Sequence, residues 1–146
     1  MSDLVITLAG MPQVRRRLDR ITGLRARRLL DLVGSEIESQ TRRRIAEEKQ
    51  APDGAAWPSW SEDYQERRPA KGGILELEGH LLDSITYNVA DDSVEVGSNL
   101  VYARRHQDGD EEGEGGMPAR PFLGLSPENE RELQQLVVDW LDREAA

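Results

Sequence analysis

The sequence contains no cysteine and few aromatic residues, and both shortages narrow what the protein can be. Without cysteine there is no disulfide framework and no thiolate chemistry. Aromatic residues make up 5% of the chain, with Phe122 as its one phenylalanine, so we expect a modest core. No apolar run approaches the roughly 18 residues that a membrane helix needs. Residues 1–4 lack the basic and apolar regions of a signal peptide, so we expect synthesis in the cytoplasm.

The charge of the chain is unevenly distributed. A length of 146 residues is typical of one domain. The net charge is −9, yet residues 1–50 carry +4 and the remainder carries −13. Such asymmetry can steer identical subunits head to tail, although a solvated helix with arginines between leucines explains it equally well. The acidic whole argues against general nucleic-acid affinity, but the arginine-rich N-terminal helices leave a nucleic-acid-binding protein as one alternative.

The hydrophobic pattern predicts an α+β fold. We expect one domain over residues 1–146, with a small antiparallel sheet, a long N-terminal helix and an amphipathic C-terminal helix packed on it. Residues 4–8 predict a short strand. Alternation in residues 84–89 and 94–96, on both sides of a polar turn, predicts a hairpin.

Apolar stripes at helical spacing predict the helices. One stripe falls at Val14, Leu18 and Ile21, and another, from Leu30 to Ile45, predicts a helix over about residues 25–49. Arg42, Arg43 and Arg44 are placed off this second stripe, in the last turns, where cations favour the helix dipole. Ser126 and Pro127 fit the cap and first position of the C-terminal helix, whose stripe includes Trp140.

The segment from Tyr102 to Gly124 is the most informative part of the chain. Its middle, Asp108–Gly116, holds five carboxylates and four glycines with no apolar residue. Like charges repel and glycine is costly to order, so we predict a mobile acidic loop at 108–116. On one flank Pro118 and Pro121 fix φ. A stiff flank beside a mobile loop suits a surface that docks onto another protein, rather than a substrate pocket.

Aromatic and conformationally restrained residues are the interface candidates. They are Trp57, Trp60, Tyr102, His106, Gln107, Pro118, Arg120, Pro121 and Phe122. Arg120 is favoured as an interface or ion-pair group, because its guanidinium can bind a carboxylate bidentately while the prolines hold its backbone. Trp57 fits a core and an interface equally well, and Tyr102 fits both, whereas Trp140 favours the core.

His106 beside the acidic loop raises a further alternative, a metal-dependent hydrolase. The chain has two histidines, and no H-x-x-x-H or H-E-x-x-H spacing occurs. Carboxylates on a glycine-rich loop are not held in fixed geometry, whereas catalysis needs positioning. We therefore expect no catalytic residue, no metal site and no cofactor. His106 is predicted to be a neutral imidazole that ties the loop base through backbone hydrogen bonds, with Gln107 doing the same through its amide.

Short motifs follow one another in a fixed order along most of the chain. They are Pro52-Asp53-Gly54 with Trp57; Ile74-Leu75 with Gly79-His80-Leu81 and Ser84-Ile85; Tyr102-Ala103 with His106-Gln107 and Gly109; and Pro118-Ala119-Arg120-Pro121-Phe122-Leu123-Gly124. Their combination resembles the phage virion morphogenesis family, the tail-completion proteins of Mu-like and P2-like phages. The family often has a phenylalanine after the arginine near the end of its long helix, where this chain has Arg44-Ile45.

The resemblance implies a non-enzymatic structural protein that completes the tail or joins head to tail. It implies a ring at the neck or at the head-proximal tail end, hexameric, with a dodecamer at the portal side as the alternative. The implied partners are other copies of the chain and neck, connector or tail-tube proteins. No membrane and no specific nucleic acid is implied, although DNA is free to pass through the ring. The implied location is the virion, after synthesis in the host cytoplasm.

Overall fold

The computed structural model describes residues 3–7, 23–59, 62–67, 80–90, 93–100, 102–109 and 118–145. The elements in chain order are β1 (Asp3–Thr7), α1 (Gly23–Arg43), a π-helical turn (Arg44–Glu48), α2 (Glu62–Arg67), α3 (His80–Ser84), β2 (Ile85–Val89), β3 (Ser93–Ser98), α4 (Ala103–Asp108) and α5 (Pro127–Ala145). The predicted stripe at 14–21, Trp60 and residues 110–116 of the acidic loop lie outside the described residues. Among those described, no helix is long and apolar enough to cross a membrane.

The sheet has three antiparallel strands in the order β1-β3-β2. β2 and β3 form the predicted hairpin, in which Tyr87 lies opposite Val96. β1 pairs with the other side of β3, with Ile6 opposite Val94. The central strand β3 therefore joins the N-terminal segment to the hairpin, and its two valines, Val94 and Val96, are fully buried.

Helix α1 lies against the sheet along its apolar stripe. Leu30, Val33 and Ile37 are buried, so the predicted long helix and its buried face are confirmed. The contact is closest at Gly34, where a Cβ atom would lie 2.4 Å from Cδ2 of Tyr87. A side chain at this position would separate the helix from the hairpin, so only glycine permits the observed approach.

Helix α5 packs against α1 and runs antiparallel to it. Arg25 of α1 lies 3.5 Å from Glu144 at the end of α5. At the start of α5, the backbone N–H of Asn129 donates to Oγ of Ser126, and the N–H of Ser126 donates to Oδ1 of Asn129. This reciprocal pair satisfies two N–H groups at the helix start, which confirms Ser126 as the cap. Trp140 is buried, as predicted.

The α+β prediction is confirmed, but the end of the long helix differs from the prediction. After Arg43 the helix widens into the π-helical turn, which ends at Lys49 with a left-handed φ of 56°. The wider turn contains Arg44, whose side chain is buried rather than directed into solvent. The placement of Arg44 off the buried stripe was therefore wrong.

Candidate functional site

Residues 118–124 carry the most specific part of the motif pattern, and they form neither helix nor strand. Their backbone polar groups would be costly to bury without partners. Side chains from three other parts of the chain supply those partners, and we call the resulting arrangement the motif frame. It consists of residues 118–124, the side chains of Arg44, Trp57 and Gln107, and residues 58–59 beside Trp57.

Gln107 at the end of α4 binds two consecutive residues of the segment through one carboxamide. Its Oε1 accepts hydrogen bonds from the N–H of Phe122 at 3.0 Å and from the N–H of Leu123 at 3.1 Å. Its Nε2 donates to the carbonyl oxygen of Leu123 at 3.4 Å. This is the role predicted for the Gln107 amide. A carboxamide is required because the site uses both an acceptor and a donor.

Arg44 binds the same segment from beneath, and it joins the segment to the start of α5. Its Nη1 donates to the carbonyl oxygen of Phe122 at 2.7 Å, and its Nη2 donates to Oδ1 of Asn129. The side chain is 1% exposed, and burial lowers its pKa. Arg44 thus connects the end of α1, the 118–124 segment and the cap of α5.

Arg120 and Trp57 tie the 118–124 segment to the loop that follows α1. Nε1 of Trp57 donates to the carbonyl oxygen of Pro121 at 2.8 Å. In the opposite direction, Arg120 donates from Nε to the carbonyl oxygen of Pro58 at 2.8 Å and from Nη2 to that of Ser59 at 3.1 Å. Two loops that are distant in sequence are therefore fixed against each other.

The carboxylate partner expected for Arg120 is not present in the described part of the chain. Its guanidinium binds two backbone carbonyls instead, and it is 7% exposed. Carbonyl oxygens satisfy the donors without adding a negative charge, and burial lowers the pKa of Arg120. Within the described residues Arg120 connects backbone segments inside the subunit, and its pairing with a carboxylate stays a prediction.

His106 contributes its backbone and its ring in different ways. Its carbonyl oxygen accepts a hydrogen bond from the backbone N–H of Arg120 at 2.6 Å. The imidazole stands edge-on to Tyr102, with ring centroids 5.7 Å apart. Burial, and then the nearby charge of Arg120, lower the pKa of His106, which favours the neutral form of the imidazole. Nδ1 has no hydrogen-bond partner among the described residues, so the tie to the loop base comes from the backbone carbonyl.

Among the described residues, four small, uncharged residues are exposed on the motif frame. Pro58 and Ser59 are exposed on one loop, and Pro118 and Ala119 are exposed on the other. We call these four residues the exposed tip. Arg120 lies beneath the tip and donates hydrogen bonds to the carbonyl oxygens of Pro58 and Ser59.

The interface candidates divide between core and surface. Trp57 and Phe122 are buried, at 5% and 0% exposure, so their apolar surface is used inside the subunit. Pro118 is exposed, and a further group is half-buried: Tyr102, His106, Gln107 and Pro121. Trp60 lies outside the described residues. An interface role for the accessible candidates stays a prediction.

Sequence reasoning missed two residues of the site, and both had a detectable pattern. Arg44 comes seven residues after the buried Ile37 and three after the buried Thr41, so it lies on the buried side of the helix. Asn129 comes three residues after the cap Ser126, the position from which a side chain reaches back to the cap. Arg44 was taken for a solvent-facing side chain, and no role was predicted for Asn129.

A second cluster of charges lies between α1 and α5, away from the motif frame. Arg43 lies 3.2 Å from Glu132, and Nε2 of Gln40 donates to Oε1 of Glu36 at 3.3 Å. Burial, and then the neighbouring carboxyl of Glu132, raise the pKa of Glu36. Within the described ranges, no three His, Asp or Glu side chains are grouped so that they could hold a metal ion.

The polar side chains of the motif frame position surface loops of the subunit. The chain belongs to the phage virion morphogenesis family, which it matches over residues 10–142. The family gives the protein a structural or assembly role in the phage virion.

Individual relatives come from Mu and from Mu-like prophages. The chain is 29% identical over 130 residues to the putative capsid assembly protein G of Escherichia phage Mu, and 83% of each chain is covered. It is 34% identical over 94 residues to the Mu-like prophage FluMu G protein 1 of Haemophilus influenzae. The aligned region covers 61% of this chain and 62% of that protein. No solved structure matches the chain significantly.

Proposed function

We propose that the protein completes the phage tail or joins it to the head, acting as a hexameric ring of identical subunits at the neck. The observation that carries this proposal is the convergence of motifs in one place. Segments that are distant in sequence, ending at Trp57, Gly109 and Gly124, meet in the motif frame. Family motifs that converge on surface loops suit a common docking task.

The frame is suited to docking because it is already ordered in the isolated subunit. Binding usually costs side-chain and loop entropy, and a surface that is held rigid before contact loses less of it. The exposed tip is fixed by the hydrogen bonds from Arg120 and Trp57 and by the restricted φ of its prolines. A neutral, rigid tip can therefore seat against a neck or tail partner with little rearrangement.

The polar residues of the frame are engaged in structural contacts rather than in chemistry. Arg44, Gln107 and Arg120 direct their polar atoms at backbone groups or at Asn129. We therefore propose a non-enzymatic role. The proposed partners are neighbouring copies and connector or tail-tube proteins, with DNA passing through the ring.

The proposal can be tested in a phage whose own gene for this protein is interrupted. We expect electron microscopy of the lysate to show filled heads and separate tails, and the wild-type gene supplied in trans to restore joined particles. A reconstruction of those particles should place the protein in a ring on the head–tail axis.

Other outcomes of this experiment would decide against neck joining. Absence of heads would assign the protein to capsid assembly, the role in the name of the Mu relative. Joined particles without the protein, or a position away from the axis, would contradict the proposal directly.

A further inference from the structure

We propose that neighbouring copies contact each other head to tail through Arg27 and Arg28 of one copy and Glu128 and Glu130 of the next. This pairing adds the contact residues to the proposed ring, and it rests on that proposed function. It names the residues that meet between subunits, whereas the motif frame serves the other partners of the ring.

Arg27 and Arg28 are exposed on the first turns of α1. No carboxylate in the described part of the chain pairs with either of them, whereas Arg25 beside them reaches Glu144 at 3.5 Å. Both side chains are therefore available to an acidic surface on another molecule.

Glu128 and Glu130 form the complementary surface, in the first turn of α5. Both are exposed, and within the described ranges neither pairs with a cation. The next acidic residue, Glu132, differs because Arg43 binds it at 3.2 Å. Glu128 and Glu130 favour the dipole of their own helix, and they also remain available to an external cation.

The two surfaces cannot meet within one subunit. Nε2 of Gln40 donates to the carbonyl oxygen of Asn129 at 3.3 Å, which sets the start of α5 level with Gln40 of α1. Arg28 lies about 18 Å from that level along α1, at a rise of roughly 1.5 Å per residue. An ion pair requires an approach of about 4 Å, so these charges can pair only between copies.

Complementary patches at different places on one subunit produce a heterologous contact, which closes into a ring when the rotation between copies allows it. A two-fold arrangement would also pair each patch with the opposite patch of the other copy, so the head-to-tail order comes from the proposed ring and not from the patches alone. Exposed ion pairs contribute little affinity, so the contact mainly sets the relative position of neighbouring copies and the rate at which they assemble.

Disulfide cross-linking tests the contact without background, because the chain contains no cysteine. Cells producing an Arg28→Cys variant and a Glu130→Cys variant together should yield particles with an oxidant-dependent dimer that contains one of each. The control pairs Ser39→Cys, which is exposed on α1, with Glu130→Cys and should yield none. Equal cross-linking in both pairs, or none in the first, would overturn the proposed pairing.

Charge reversal supplies the second measurement. We expect Arg27→Glu with Arg28→Glu to lower the yield of joined particles roughly tenfold or more, because like charges would then face each other. Glu128→Arg with Glu130→Arg should do the same, and the combination of all four changes should restore most of the yield. Circular dichroism of each variant separates an assembly defect from misfolding.

The control for charge reversal is Arg131→Glu with Arg143→Glu, which changes the net charge equally on exposed positions of α5. It should leave the yield near wild type, and an equal loss there would show that net charge alone matters. A cross-linked contact in a particle where the ring lies away from the neck would contradict the proposed function and leave the contact standing. Joining at the neck without rescue by the combined variant would contradict the proposed pairing and leave the proposed function standing.

Discussion

Replacing Arg44 by alanine should destabilise the subunit more than the loss of any exposed arginine. Arg44 is fully buried, and it donates to the carbonyl oxygen of Phe122 and to Oδ1 of Asn129. The substitution removes both donors and leaves the carbonyl of Phe122 without the guanidinium. It also leaves a cavity beside the π-helical turn, because alanine cannot fill the volume of the arginine side chain.

The size of the effect follows from these losses. A hydrogen bond to a charged group contributes about 1.5–3 kcal/mol, and an acceptor left buried without a partner costs about 1–3 kcal/mol. Part of this loss is offset, because the variant no longer has to bury the positive charge of Arg44. Burial disfavours that charge, which is why it lowers the pKa of Arg44. We expect a net loss of about 3–5 kcal/mol, because two hydrogen bonds to a charged group are lost and a cavity is left.

Thermal unfolding of the isolated chain, followed by circular dichroism, measures this loss. For a chain of this size it corresponds to a fall in Tm of roughly 6–20 °C. The matched control is Arg43→Ala, which removes exposed ion pairs and should cost about 0–1 kcal/mol. Equal, small shifts in the two variants would show that the buried guanidinium contributes nothing to stability and would refute the reasoning.

The remaining predictions concern the frame, the helix–sheet contact and the charge cluster. Arg120→Ala frees the carbonyls of two surface residues and should lower both stability and the yield of joined particles more than Arg43→Ala; equal yields in a complementation assay would contradict this. Gly34→Ala should lower the free energy of unfolding by about 1–3 kcal/mol through overpacking against the hairpin, whereas the exposed Ser35→Ala should change it little in the same denaturant titration. Burial and a neighbouring carboxyl raise the pKa of Glu36 above 4.5 in the folded protein. Ionisation of Glu36 therefore lowers the free energy of unfolding as the pH rises through the raised pKa. Glu36→Gln should therefore be more stable than wild type at pH 7, with the difference disappearing toward pH 4; a difference independent of pH would exclude this cause.

Much of the fold could be predicted because its elements follow strong local patterns. The alternation on both sides of a polar turn determined the hairpin, and the stripe from Leu30 to Ile45 determined α1. The position of β1 beside β3 could not be obtained in this way, since pairing between distant strands leaves no local pattern. The short helix α4 was also missed, because tertiary contacts through Gln107 hold it in place.

The candidate site was harder to predict than the fold. The motifs indicated that residues 102–109 and 118–124 matter, and Gln107 took the role predicted for it. Arg44 and Arg120 were assigned to solvent or to carboxylates because charged side chains usually remain hydrated. In the structure both are buried with backbone carbonyl partners, a choice that depends on where distant loops converge and is not visible in residue type alone.

The Gln107 carboxamide, which binds two consecutive residues, has consequences for backbone dynamics and for the substitutions that the chain tolerates. It does for Phe122 and Leu123 what a neighbouring strand does in a sheet, so the amide protons of these two residues should exchange slowly with solvent although they lie in no ladder. A strand can change its side chains and keep its hydrogen bonds. A segment held by one side chain depends on that side chain, so position 107 is constrained, whereas positions 122 and 123 can change without losing these backbone hydrogen bonds.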